Sequence, residues 1–122
     1  MTKAEALHSF MSGFGLKAYA NQAEDNAAFP YLVYEQTLGS FDDGALPIII
    51  NLWYYGDSIK EIIGKTQEIS ETIGYGGLFI PYDGGAIMIR RDTPFSQGQT
   101  DAADSKIKGR FIKITAEYLS QN

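Results

Sequence analysis

Ile59, Ile62, Ile63, Thr66, Ile69 and Ile73 recur at helical spacing between Ser58 and Gly74, while the segments on both sides alternate with a period of two. One amphipathic helix between two groups of strands constrains the fold of this chain more than any other feature. Such a helix has an apolar stripe to bury, and alternating strands supply an apolar face to bury it on. Lys60, Glu61, Lys65, Glu68 and Glu71 fall away from or beside the stripe. Ser58-x-x-Glu61 reads as a capping box at its start, and Gly74 supplies the stop.

Before this helix, Tyr31–Leu38 and Pro47–Gly56 are rich in β-branched and aromatic residues and read as strands. In the second, Ile48, Ile50, Leu52 and Tyr54 share one face, and Ile49, Asn51, Trp53 and Tyr55 share the other. Both faces are therefore expected to be largely covered. Gly39–Leu46, carrying Asp42-Asp43-Gly44, reads as a turn or hairpin tip. After the helix, Asp83-Gly84-Gly85 between Leu78–Tyr82 and Ala86–Arg91 is a hairpin signal. Thr93–Ser105 reads as a polar loop, and Lys108–Leu119 as a strand with Ile112, Ile114, Ala116 and Tyr118 turned inward. At the N-terminus, Thr2-x-x-Glu5 is a second capping box ahead of Ala6, Leu7, Phe10 and Met11. Leu16–Ala20 is a short strand and Asn21–Ala28 a loop. The expectation is one α+β domain over residues 1–122. Its sheet is mainly antiparallel (mixed), of about five to six strands, with two helices packed on one face.

Composition narrows the functions open to such a domain. With 44% apolar and 13% aromatic residues in 122, the chain can close a modest core. The net charge of −5 argues against a clamp that grips duplex DNA by neutralising phosphates. The absence of cysteine removes disulfides and thiolate metal sites. The start lacks the basic and apolar pattern of a secretion signal, and the apolar run Ile48–Tyr55 is too short to span a bilayer, so a soluble intracellular product is expected.

The residues that carry chemistry do not assemble into a recognised set. His8 is the only histidine, and its neighbour Ser9 points elsewhere on a helix, so they form no nucleophile–base pair. Asp42-Asp43 is followed by Ala-Leu-Pro-Ile after Gly44, which offers no further oxygen ligands. Asp101 and Asp104 read as solvated loop residues. Gly74-Tyr-Gly-Gly77 follows a helix and lacks the Lys-Ser/Thr step of a phosphate loop. Lys108-Gly-Arg-Phe-Ile-Lys-Ile114 has a faint look of an RNA-binding strand, but Arg110 stands where an aromatic should stack. The expectation is no enzyme, no cofactor and no metal. Tyr31, Tyr34, Trp53, Tyr54, Tyr55, Tyr75, Tyr82 and Phe95 exceed what a core of this size absorbs, and such residues suit interface cores.

Phe29-Pro-Tyr-Leu-Val-Tyr-Glu35, Trp53-Tyr-Tyr-Gly-Asp-Ser58 opening a helix, and Asp83-Gly-Gly-Ala-Ile-Met-Ile-Arg90 followed by Pro94-Phe-Ser-Gln97 stand in a recognisable order. With the closing Phe111-Ile-Lys-Ile-Thr-Ala-Glu-Tyr-Leu119, they resemble the small tail-terminator (tail-completion) proteins of long-tailed bacteriophages and prophages. The resemblance covers roughly Phe29 to Leu119 and rests on order and spacing together. It implies a mixed α/β fold and a homo-oligomeric ring, usually a hexamer. That ring stops polymerisation of the tail tube at its head-proximal end and offers the surface on which the head connector or stopper docks. It implies assembly in the host bacterial cytoplasm, incorporation into the virion neck, and passage of genomic DNA through the lumen without specific binding. It implies neither membrane association nor catalysis.

A head-to-tail ring needs two different complementary patches on each subunit. The loops Gly39–Leu46 and Thr93–Ser105 are the candidates, with Phe41 and Phe95 as apolar contacts. Arg90, Arg91 and Lys106 are expected to meet Asp42, Asp43, Asp101 or Asp104 across the subunit boundary. On that reading, Phe95→Asp leaves folding intact and blocks tail joining. The alternatives are a head-completion or stopper protein of the same neck and, from another class, a small ligand- or RNA-binding α+β module.

Overall fold

The computed structural model describes residues 1–36, 45–100 and 104–120. Helix α1 spans Lys3–Ser12 and is followed by β1 (Lys17–Ala20), β2 (Tyr31–Gln36) and β3 (Ala45–Tyr55). Helix α2 (Lys60–Ile73) then leads to β4 (Leu78–Tyr82), β5 (Gly85–Thr100) and β6 (Ile107–Ser120). The strands form one six-stranded sheet in the order β1-β2-β3-β6-β5-β4. β1 and β2 run parallel, and every other neighbouring pair is antiparallel. This is the α+β fold with a mainly antiparallel sheet that the sequence leads one to expect.

Both helices bury their stripes against the same face. Leu7 and Met11 of α1 and Ile62, Ile69 and Ile73 of α2 join one core with Leu32, Ile48, Ile50, Leu52, Ile87, Ile89, Ile112 and Ile114. The inward set anticipated for the last strand holds: Ile112, Ile114 and Ala116 are fully buried, and Tyr118 packs against the core. The helix termini show what local chemistry decides. At α1 the capping box forms: Thr2 Oγ1 accepts from the Glu5 amide at 3.2 Å and Glu5 Oε1 accepts from the Thr2 amide at 2.9 Å. At α2 it does not. Ser58 Oγ accepts from the Lys60 amide two residues on, at 3.1 Å, and Ile59 occupies the cap position without a side-chain bond. Serine there closes a local turn, which competes with capping.

Two further differences bear on function. The segment expected as a loop from Thr93 is strand as far as Thr100, within a 16-residue β5. Its ladder with β6 slips between Arg91 and Ser96, then resumes as Ser96↔Ile112 through Thr100↔Lys108. Pro94 falls in the irregular stretch, where a residue lacking an amide proton costs no ladder bond. β6 is already paired to β3 from Ile107 to Glu117, and its second edge gives this polar segment a template. The other difference is in β3, whose second face carries no layer of its own among the described residues. Ile49, Asn51 and Trp53 are half-buried and Tyr55 is 54% exposed.

Candidate interaction surface

The face of the sheet opposite the helices carries large side chains in cross-strand rows set by the register. Tyr31 of β2 pairs with Trp53 of β3, and Trp53 pairs in turn with Gly109 of β6. In the adjacent row, Tyr19 lies beside Val33, Val33 opposite Asn51, Asn51 opposite Phe111, and Phe111 opposite Gln97 of β5. Rings meet along this face, with centroids 5.9 Å apart for Tyr19–Tyr31, 5.4 Å for Phe29–Tyr31 and 5.7 Å for Phe29–Tyr55. Further along, Phe79 pairs with Met88 and is 63% exposed. This is more outward aromatic surface than the fold itself requires.

One end of the face is sheltered by the segment after β1. Tyr19 donates to Glu24 at 2.9 Å, and shelter from water first, then this bond, raises the Tyr19 phenol above its ordinary range. A shallow cleft of about 360 Å³ lies beneath, lined by Asn21, Gln22, Tyr31, Glu35, Asn51 and Trp53. On the core side, burial likewise raises Tyr34 and Tyr54, and the Tyr34 hydroxyl lies 2.8 Å from His8 Nδ1. That contact ties α1 to the sheet. It places His8 in a structural bond at a helix edge, turned away from its sequence neighbour Ser9.

The second feature is a cleft of about 500 Å³ where β5 becomes irregular, lined by Ser70, Tyr75, Arg90, Arg91, Asp92 and Phe95. Arg91 Nη1 donates to Ser70 Oγ at 2.7 Å, joining β5 to α2, and Asp92 Oδ1 accepts from Thr115 Oγ1 at 2.5 Å. Arg90 Nη2 lies 3.6 Å from Glu117 Oε2 across the β5–β6 ladder. Tyr75 stands at the rim, 99% exposed.

Of the sequence-derived interface candidates, Arg90, Arg91 and Phe95 come together in this cleft. Each has partners within its own chain: the two arginines are bonded, and Phe95 is half-buried and packs against the core instead of projecting from a loop. Asp104 and Lys106 lie at the far end of the β5–β6 ladder. There Asp104 Oδ1 accepts from the Lys106 amide at 2.9 Å and closes the turn into β6. Phe41, Asp42, Asp43 and Asp101 lie outside the described residues. Sequence reasoning passed over Phe29, Phe79, Met88 and Phe111, which extend the open face. Their signal is parity: Phe111 alternates with the inward Ile112 and Ile114, so it must face away from the helices.

Among the described residues, no group of three or more His, Cys, Asp or Glu side chains is placed to hold a metal ion. Nor is any described helix long and apolar enough to cross a membrane. No protein-family model matches the chain, and a search of the curated proteins finds no match.

Proposed function

We propose that this chain is a structural subunit that closes with copies of itself into a ring at the head-proximal end of a phage tail tube. The observation that carries the reading is the helix-free face of the sheet. Aromatic rings gathered at 5.4–5.9 Å, with Tyr55 more than half exposed, are arranged to be covered by a neighbour. The order of motifs from Phe29 to Leu119 supplies the rest, since it resembles the tail terminators. In this role the ring's partners are the tube protein on one side and the head connector or stopper on the other. Genomic DNA slides through a lumen that an acidic subunit does not make sticky, because like charges repel phosphate. Assembly takes place in the host cytoplasm and the ring remains in the virion neck.

Negative-stain microscopy with native mass spectrometry across a concentration series tests the proposal, alone and with purified tail tubes. Closed rings of one size, six subunits in the leading form, support it. A chain that stays monomeric even with tube ends present overturns it.

A binding module is the second reading, favoured by the cleft beside Trp53. Its lining of two asparagines, Gln22 and Glu35 with two aromatic rings suits an uncharged polar ligand better than a phosphate backbone. Saturable binding by a monomer would favour it over the ring.

A further inference from the structure

Among the described residues, β5 is accompanied unequally on its two sides. β6 pairs with it over Gly85–Arg91 and again over Ser96–Thr100, but β4 pairs only with Gly85 to Ile89. Among the described residues, no strand lies beside β5 beyond Ile89. Bare edges attract foreign strands, and proteins blunt them with short length, charge or proline. The two outer strands have these protections: β1 is four residues long and begins with Lys17, and β4 is five long and contains Pro81. Ser96-Gln97-Gly98-Gln99-Thr100 shares only the short length of β4. It lies beyond Pro94, carries no charge, and is exposed at Gln97 and Gly98.

The same five residues read alike in both directions: hydroxyl, amide, glycine, amide, hydroxyl. An antiparallel ladder with a second copy, centred on Gly98, sets Gln97 opposite Gln99 of that copy and Ser96 opposite its Thr100. Every position then meets a residue of its own chemical kind; the Ser96 hydroxyl also accepts from Arg110 Nε of its own chain at 2.7 Å. Glycine at the centre fits a point where another backbone approaches closely. Directly opposed residues in an antiparallel pair point to the same side, so the two aromatic faces become one continuous surface. We infer that Ser96–Thr100 of β5 is a self-pairing edge, by which two copies of this chain join their sheets about a two-fold axis at Gly98. This pairing is isologous, whereas a ring contact is head-to-tail, so the inference stands apart from the ring reading.

The chain has no cysteine, so Gly98→Cys creates a single thiol. A Cβ added at Gly98 meets only the tip of the Arg110 side chain, at 3.4 Å, and the fold tolerates it. Directly opposed Cα atoms lie about 4.5–5.5 Å apart, within the span of a disulfide. Mild oxidation should therefore yield a covalent dimer with the same elution volume as the native one. As a second measurement, the double variants Gln97→Lys/Gln99→Lys and Gln97→Glu/Gln99→Glu place like charges opposite each other. Each should dimerise about tenfold more weakly or worse in sedimentation, and their mixture should recover.

A folded Gly98→Cys protein that stays monomeric on oxidation overturns the inference. So does a wild-type chain monomeric up to about 1 mM, or charged variants that associate as the wild type does. Rings without the cross-link would sink this inference and leave the ring; cross-linked dimers without rings would do the reverse.

Discussion

Replacing Phe95 by alanine separates two accounts of the β5 irregularity. If the segment were a free loop, the change would fall within about 0.5 kcal/mol, as for ordinary surface positions. In the structure the ring is half-buried and packs against the core cluster beside Arg91 and Ser70. Removing a fully buried phenylalanine side chain costs about 3–5 kcal/mol, so a half-buried one should cost about 2 kcal/mol. With a urea dependence of about 1.3 kcal/mol/M for a domain of this size, the midpoint should fall by about 1.5 M. The assay is urea unfolding followed by circular dichroism at one low protein concentration, because self-association would add its own stabilisation. Phe95→Asp should be worse still, since it sets a carboxylate against the apolar cluster. The sequence-level expectation that Phe95→Asp spares folding is thus revised: loss of assembly in that variant must be read beside its stability. A midpoint shift below about 0.3 M for Phe95→Ala would refute the packing argument.

Ile112→Ala, at a fully buried position of the central β6, should cost about 3 kcal/mol, while Lys113→Ala on the opposite face should cost under about 0.5 kcal/mol. Equal urea midpoints for the two would mean the faces are wrongly assigned. Gly77→Ala should destabilise by about 2 kcal/mol, because Gly77 has φ +86° and an added Cβ would stand 2.6 Å from the Ile89 carbonyl oxygen. An unchanged thermal midpoint would contradict it. The bond from the Thr2 amide, then the Thr2 hydroxyl, hold the Glu5 carboxyl below its ordinary 4.5. Its contribution is therefore present above that value and lost as pH falls through the lower folded value. Glu5→Gln should remove this component, seen as a flatter fall in melting temperature on acidification; an identical acid limb would count against the capping box.

The parts of this fold legible in the sequence are those set by neighbouring residues. Helix α2 follows from isoleucines at spacings of three and four, the α1 cap from Thr2 and Glu5, and the β4–β5 turn from Asp83-Gly84. The inward set of β6 follows from alternation alone. Ser58 shows where the same reasoning stops, because one hydroxyl can close a turn or cap a helix and the backbone path decides. The candidate site was legible only as a surplus of aromatics. Arg90 and Arg91 are adjacent and look equivalent in sequence. Only the sheet sends one to Glu117 and the other to Ser70.

Sequence by itself thus determined the periods, caps and turns, because these depend on contacts within a few residues. Tertiary structure decided that α1 and α2 share one face, leaving Tyr31, Trp53 and Tyr55 on the other. It also decided that Ser96–Thr100 is strand, because a polar, glycine-containing segment has little strand preference of its own. That segment takes its hydrogen-bonding partner from β6, Ile112 to Lys108, whose other edge is held by β3.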